Sequence, residues 1–264
     1  MNKGMTGFQL KVLGVVTMVI DHIGEFFLFL GVPMWFHWIG RIAAPLFLFE
    51  SSEGFIHTSN RKKYMFRLLA GYWLMGIINT ILNHYFSINN AIVINNIFGT
   101  LFLGTVYMQA CEYFKQRKTF FKGLIWFLVP TILSVLAMVL LYGGNLFDSK
   151  SGMFFFQGFT LLVPTLMLTE GGVLFVLLSV LFYLFHGKRL LQVASLLIIA
   201  IITLIFGGGV QHAFTLNYQW MMCLAAIPII LYNGEKGRSM RNFFYIFYPA
   251  HIALFAIISF FIQR

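Results

Sequence analysis

The sequence predicts an all-α protein, a polytopic bundle of transmembrane helices, on three observations. Apolar residues make up 59% of the 264 positions, and charged residues only 10%. The mean hydropathy of +0.84 lies outside the range of soluble globular domains. Apolar stretches of about 20 residues recur along the chain, which is the length that a helix needs to cross a hydrocarbon core of roughly 30 Å.

We expect nine spans in a single domain, residues 1–264, because no internal repeat or linker divides the chain. A further segment, 153–166, is also apolar but is interrupted by Gly158 and Pro164. It is predicted as a re-entrant or interfacial segment, or as a tenth span. The nine spans are predicted at 9–30, 36–57, 64–84, 91–114, 121–142, 167–186, 190–207, 217–233 and 243–262.

The net charge of +10 predicts membrane topology rather than a nucleic-acid partner, since the basic residues form no stripe with interleaved exposed aromatics. If nine spans alternate, nearly all basic segments fall on one side, and only Lys150 and Arg264 fall opposite. The positive-inside rule then places the N-terminus in the cytoplasm of a multi-pass protein of the cell membrane. The basic segments are Lys3, Lys11, 61–67, 115–122, 188–189 and 236–241.

Several chemistries have no support in the sequence. The two cysteines, Cys111 and Cys223, lack the paired spacings of zinc or redox motifs, and no metal site is predicted. The glycine-rich, nucleophile-elbow and paired-histidine motifs of nucleotide binding, serine hydrolysis and zinc proteolysis are absent from the sequence.

The first predicted span carries ionisable residues at a depth where charge is costly, which points to function. Eleven residues at about 100° each place Lys11 and His22 on one helix face, roughly 16 Å apart along the axis. This geometry suits a long ligand with its charged head at the membrane surface and its reactive end deep inside. Asp21 and Glu25 flank the imidazole, and a carboxylate there can orient the ring as a general base. A polar cluster that only joins helices is the alternative.

Arg41 is predicted in the outer half of the second span, at a depth close to that of His22. It could pair with Asp21 or Glu25, or it could stabilise a developing oxyanion. A plain interhelical ion pair explains it equally well.

Polar residues also gather near the cytoplasmic end of the second span. Glu50, Glu53 and His57 recur at three- and four-residue steps on one face and could line an entry channel. The loop that follows carries more positive charge than topology requires, and phosphate is the natural partner of such a loop, although topology alone explains most basic loops. Its cations are Arg61, Lys62, Lys63 and Arg67.

A second polar group is predicted in the outer halves of the third and fourth spans, where amides could hydrogen-bond an acceptor substrate or one another. It comprises Asn79, Asn83, His84, Asn95 and Asn96. His251, in the last span, could supply a second imidazole, although a lone histidine there is more often a packing residue.

Several motifs together resemble the TraX family. They are Leu10-Lys11…Asp21-His22-Ile23-Gly24, Gly40-Arg41…Pro45, Glu53-Gly54-Phe55-Ile56-His57-Thr58, Tyr64…Arg67-Leu68, and an ending of Leu231-Tyr232-Asn233-Gly234…Phe244 to His251. The family is named for a protein that acetylates the N-terminal amine of conjugative pilin. It is similar to the membrane acyltransferase-3 group, whose first helix carries a basic residue and a histidine at the spacing of Lys11 and His22.

The resemblance implies an N- or O-acetyltransferase that takes an acetyl group from cytoplasmic acetyl-CoA to an acceptor at or near the outer face. His22 would then deprotonate an amine or hydroxyl, with Asp21 orienting the ring and Arg41 stabilising the oxyanion. The acceptor could be a protein N-terminus, a glycan, a lipid head group or a small amine. The residues expected to bind the coenzyme or line its entry are Lys11, Arg61, Lys62, Lys63, Arg67, Glu53 and His57.

Two other functions fit the same residues. A proton-coupled secondary transporter also needs intramembrane aspartate, histidine and glutamate, but it should show two corresponding halves, which the sequence lacks. A non-enzymatic assembly partner would use the polar residues only to pack its helices, and would tolerate substitution of Lys11 or Arg67.

Overall fold

The computed structural model describes residues 4–87, 92–142, 150–239 and 241–264, and these form helices joined by short connections. No strand occurs in the described residues, where the one extended pairing is an isolated bridge between Met5 and Tyr232. The prediction of an all-α protein is therefore confirmed.

The α-helices follow one another with short 3₁₀ turns between some of them. They are α1 (Gly7–Phe26), α2 (Trp35–Gly40), α3 (Ala43–His57), α4 (Arg61–Tyr85), α5 (Ile97–Phe114), α6 (Phe120–Tyr142), α7 (Lys150–Leu162), α8 (Gly172–Leu184), α9 (Arg189–Phe206), α10 (Ala226–Leu231) and α11 (Arg241–Gln263). The 3₁₀ helices are Leu28–Leu30, Arg117–Thr119, Val210–His212 and Gln219–Ala225.

Two helix starts that matter for the site are capped by polar side chains. Thr6 forms a capping box with Gln9 at the start of α1. The Asn60 side chain accepts from the backbone N of Lys63, 2.8 Å away, at the start of α4. These caps determine the first residues of α1 and α4.

Five described helices are long and apolar enough to cross a membrane, which indicates a membrane protein. The expectation of nine or ten spans is not confirmed. Several of the remaining apolar helices are too short, since 13 residues of α8 extend only about 20 Å. The five are Gly7–Phe26, Arg61–Tyr85, Arg117–Tyr142, Arg189–Phe206 and Phe243–Gln263.

The predicted second span, 36–57, is broken in two. The six residues of α2 and the fifteen of α3 are separated by a turn at Arg41 and Ile42. Pro45 explains the break, because it has no N–H to donate to the carbonyl of Arg41 four residues before it. The predicted span at 217–233 is likewise a 3₁₀ helix followed by the short α10. The segment 153–166 lies mostly in α7, whose 13 residues are too few to cross alone.

Contacts bring the basic segments together at one end of the bundle, which we call the basic end. The backbone of Gly7 donates to the carbonyl of Glu235, 2.8 Å away, and so joins the chain before α1 to the chain before α11. Arg61 at the start of α4 contacts Glu112 near the end of α5, and Lys115 contacts Tyr183 near the end of α8. The opposite end holds the start of α2 and the end of α11.

Candidate functional site

His22 lies in α1 and is buried, with 4% of its surface exposed. Its Nδ1 lies 2.7 Å from Nε2 of His251 in α11. The Nδ1 of His251 in turn donates to the carbonyl of Phe247, 2.8 Å away and one helical turn earlier. On the other side of the ring, the amide of Asn95 lies 3.3 Å from His22 Nε2.

This chain of hydrogen bonds fixes the tautomers of both neutral rings. Because a carbonyl oxygen only accepts, Nδ1 of His251 carries its proton and Nε2 its lone pair. Nδ1 of His22 must then donate to His251, which leaves the lone pair of His22 on Nε2. That lone pair accepts from Asn95 Nδ2, and the N–H or O–H of a substrate would take the place of this amide. The geometry therefore presents His22 Nε2 as a base.

Asn95 holds the other side of this base. Its Nδ2 also donates to Oε2 of Glu25, 3.0 Å away, and that oxygen lies 4.0 Å from His22 Nε2. The amide thus links the imidazole to a carboxylate that is itself partly exposed. The sequence placed Asn95 only within a group of outer amides, and the structure brings it onto the predicted base.

Asp21 contacts Arg41 and His37 rather than His22. Its Oδ2 accepts from Arg41, and its Oδ1 lies 3.2 Å from Nδ1 of His37. The predicted pairing of Arg41 with Asp21 is confirmed, whereas the expected bond from Asp21 to the His22 ring is absent among these described residues. The reason is geometric, since side chains of adjacent helix residues point about 100° apart.

Arg41 retains a donor for a ligand. Its Nη1 donates to Oε1 of Gln219, 3.2 Å away, and its guanidinium lies over the ring of Tyr218. Its Nε is buried and has no hydrogen-bond partner in the described part of the chain. A buried N–H without an acceptor is costly, so this group is suited to an oxygen atom of a bound ligand.

A cavity of about 90 Å³ connects these groups. Its walls combine polar side chains with apolar ones from α1, α3, α8 and α11. Tyr248 in its wall accepts from the backbone N of Ile97 and donates to Glu170. Residues in the wall are Met18, Asp21, His22, Gly40, Arg41, Ala43, Ala44, Phe47, Ile97, Glu170, Gly171, Phe175, Gln219 and Tyr248.

A second cavity, of about 410 Å³, lies at the basic end. The loop between α3 and α4 and the first residues of α4, Arg61 and Lys62, form one wall. The prediction that the four cations Arg61, Lys62, Lys63 and Arg67 lie in a loop is wrong, because the Asn60 cap starts α4 at Arg61. Lys63 and Arg67 do not line this cavity. Lys63 is exposed, and the Nε of Arg67 is buried with no hydrogen-bond partner among the described residues. Lys11 instead pairs with the buried Glu50 at 2.7 Å, so its charge is already neutralised.

The two cavities share no lining residue. Lys11 and His22 lie on one continuous helix, as predicted, but Phe47 packs between them against Gly14. The passage expected from the basic end to the His22 ring is therefore not continuous through these two cavities.

Glu53 and His57 lie apart from both cavities and contact a residue that the sequence did not single out. Oε1 of Glu53 lies 2.9 Å from Nδ1 of His186, which follows α8. His57 Nδ1 donates to the backbone carbonyl of Glu53 at 2.9 Å. Only tertiary structure brings His186 here, because 133 residues separate it from Glu53.

Comparison with known proteins shows the family of the chain. The family model described as TraX protein matches residues 6–259. The chain belongs to the TraX family. A probable fimbrial assembly protein FimC, serogroup H1, from Dichelobacter nodosus is 25% identical over 275 residues, and the match covers 99% of each chain. No solved structure matches the chain significantly.

His251 is the main site residue whose importance the sequence analysis underestimated, because it treated a lone histidine there as a packing residue. The signal was present, since the segment from Phe244 to His251 belongs to the family-like ending of the chain. Its pairing with His22 across 229 positions was not readable from periodicity.

Proposed function

We propose that this TraX-family protein is a membrane-embedded acetyltransferase. It would take an acetyl group from acetyl-CoA at its basic end and deliver it to an amine or hydroxyl acceptor near the opposite end. By the positive-inside rule, the basic end faces the cytoplasm across the cell membrane. The observation that carries the proposal is the buried lone pair of His22 Nε2, held in place by His251 beside a cavity that Arg41 also lines.

In the proposed reaction, His22 Nε2 takes a proton from the attacking amine or hydroxyl of the acceptor. The acceptor nitrogen or oxygen forms a bond to the acetyl carbonyl carbon, and the carbon–sulfur bond breaks. The proton then leaves His22 for the departing sulfur, which restores the base. A positioned general base of this kind contributes roughly 10²- to 10⁴-fold to a rate.

Arg41 would stabilise the carbonyl oxygen while it gains negative charge. Its Nε donor is buried without a partner, and its other nitrogens are held by Asp21 and Gln219. An oxyanion donor that is fixed before the reaction loses no energy to reorientation. In this arrangement Asp21 orients Arg41, and His251 orients His22.

The basic end suits the phosphates of coenzyme A. Arg61 and Lys62 line its cavity, and Arg67 offers a buried donor that lacks a partner in the described residues. Lys11 would have to break its ion pair with Glu50 to contact a phosphate. We therefore propose that it contributes less to coenzyme binding than Arg61 and Lys62 do. Glu53 and His57 carry no permanent positive charge, and their predicted role in lining the coenzyme entry stays a prediction.

Delivery of the acetyl group requires Phe47 to move. Its ring lies against Gly14, between Lys11 and the His22 cavity. A rotation of this side chain would open the face of α1 along which the pantetheine arm would extend. The spacing of Lys11 and His22 also supports our proposal that the family is related to the acyltransferase-3 group.

For the acceptor, we propose a protein subunit of a surface fibre. The support is the name of the Dichelobacter nodosus relative, a probable fimbrial assembly protein. The N-terminal amine of such a subunit would be the nucleophile.

The experiment uses inverted membrane vesicles from cells that express the protein, so that the cytoplasmic face is outside. Labelled acetyl-CoA is added, and label is measured in protein, lipid and soluble fractions. We expect incorporation with wild type and with His212→Gln, an exposed control, and background incorporation with His22→Gln. If His22→Gln incorporates as much label as wild type, His22 is not the general base. Accumulation of a solute inside the vesicles without any acetylated product would favour the alternative function, a proton-coupled secondary transporter.

A further inference from the structure

We propose that Glu53, His57 and His186 form a binding site for a divalent metal ion at the basic end, and that zinc is the best match. One carboxylate and two imidazoles are a common zinc ligand set with a fourth position open to water or another ligand. The two imidazole donors favour zinc over the harder magnesium and calcium ions, which prefer oxygen ligands.

The donor atoms already lie close together. One ligand atom from each residue falls within 4.8 Å of the others. Glu53 Oε1 is 2.9 Å from His186 Nδ1, and Glu53 Oε2 is 3.9 Å from His57 Nδ1. Bonds of about 2.0–2.1 Å in a tetrahedral site place ligand atoms roughly 3.3 Å apart. Small side-chain movements would therefore bring all three onto one ion.

The charge around Glu53 favours a bound cation. Its side chain is 8% exposed, and the ion-pair partners of its carboxylate in the described residues are the two histidines. Arg189 interacts electrostatically with Glu53 from beyond ion-pair distance, and its guanidinium donates to Gln192 and lies over the ring of Phe49. A buried carboxylate without a permanently charged hydrogen-bond partner gains most from a cation at that position.

Access for an ion from water is open. The side chains of His57 and His186 are 64% and 40% exposed, while Glu53 forms the buried floor. His57 follows Glu53 by one turn of α3, and its ring lies beside the carboxylate. A metal ion bound at Nδ1 of His57 and of His186 would replace the protons that these atoms now donate to Glu53. His186 comes from the turn after α8. A bound ion would therefore tie the end of α3 to the turn between α8 and α9, and this inference does not depend on acetyl transfer.

The test uses the full-length protein, purified in detergent with a histidine-free affinity tag and stripped with a chelator. Zinc chloride is titrated by calorimetry into wild type, Glu53→Gln, His186→Asn and the control His212→Asn. We expect one saturable site per chain in wild type and in the control. Both site variants should lose at least tenfold in affinity.

A second measurement does not depend on how the variants fold. Cobalt(II) added to stripped wild type should give the visible absorption of a four-coordinate nitrogen and oxygen site, and zinc should abolish it. Absence of saturable zinc binding and of the cobalt spectrum in wild type would overturn the proposal. So would equal zinc affinity in wild type and a folded Glu53→Gln.

Discussion

His22 Nδ1 and His251 Nε2 lie 2.7 Å apart, and this bond decides which nitrogen of His22 can act as a base. With His251 Nδ1 bound to a backbone carbonyl, the proton between the rings belongs to His22 in the neutral pair. The lone pair of His22 is then on Nε2, where it accepts from Asn95 and where a substrate would take the place of that amide. The two helices α1 and α11 thus build the reactive group together.

His251→Ala tests this arrangement. Without the ring, His22 Nδ1 loses its acceptor, so both tautomer and orientation become variable. We expect a fall in kcat of about tenfold to a hundredfold, because the base remains but is poorly positioned. The KM for acetyl-CoA should stay unchanged, and His84→Ala, an exposed ring elsewhere, should behave as wild type. A drop in KM alone would contradict the assignment.

Arg41→Lys separates the oxyanion role from the ion pair. Lysine keeps a positive charge for Asp21 but lacks the Nε donor that Arg41 buries without a partner in the described chain. We expect kcat to fall by about 10²- to 10³-fold, as for other oxyanion donors, with the protein still folded by thermal unfolding. Retained kcat would show that Arg41 only joins helices.

Neutral substitutions in the first two turns of α4 test coenzyme binding. Arg67→Gln should raise the KM for acetyl-CoA more than Lys63→Gln does, because the Arg67 donor is buried and Lys63 is exposed. Lys118→Gln, an exposed cation of another segment, should leave KM unchanged. If all three variants show the same small effect, the cations at the start of α4 act only as surface charge and the coenzyme does not bind there.

Gly14→Leu tests the proposed path along α1. A Cβ at Gly14 would lie 3.2 Å from the Phe47 ring, so a larger side chain should wedge the ring and close the path. We expect kcat/KM to fall at least tenfold. Val16→Leu, which adds similar bulk on an exposed face of the same helix, should have no effect. Unchanged transfer by Gly14→Leu would place the path elsewhere.

Gly40→Ala should destabilise the protein. A Cβ there would overlap the side chain of Asp21. We expect a loss of about 1–3 kcal/mol, the usual effect of overpacking, seen as a lower unfolding temperature. Gly158→Ala has open space around it and serves as the control.

The sequence allowed the all-α class and the shared face of Lys11 and His22 to be predicted, because both follow from local helical periodicity. The break of the second predicted span was missed, although Pro45 stood in its middle. Apolar length alone does not distinguish a span from two short enclosed helices.

The candidate site was only partly predictable for a different reason. The pair of Arg41 and Asp21 follows from their predicted depths, since a buried charge is costly unless an opposite charge lies beside it. The partners of His22 and Glu53 are His251 and His186, which lie 229 and 133 positions away. No spacing rule joins residues so distant, and only the packing of the helices brings them together.

The most direct test of the central claim is a single-turnover measurement with purified protein, labelled acetyl-CoA and an acceptor fraction identified in vesicles. Binding of acetyl-CoA is measured in parallel at equilibrium. We predict that His22→Gln binds acetyl-CoA with wild-type affinity but transfers acetyl at least 10²-fold more slowly. Transfer at the wild-type rate by His22→Gln would contradict the account.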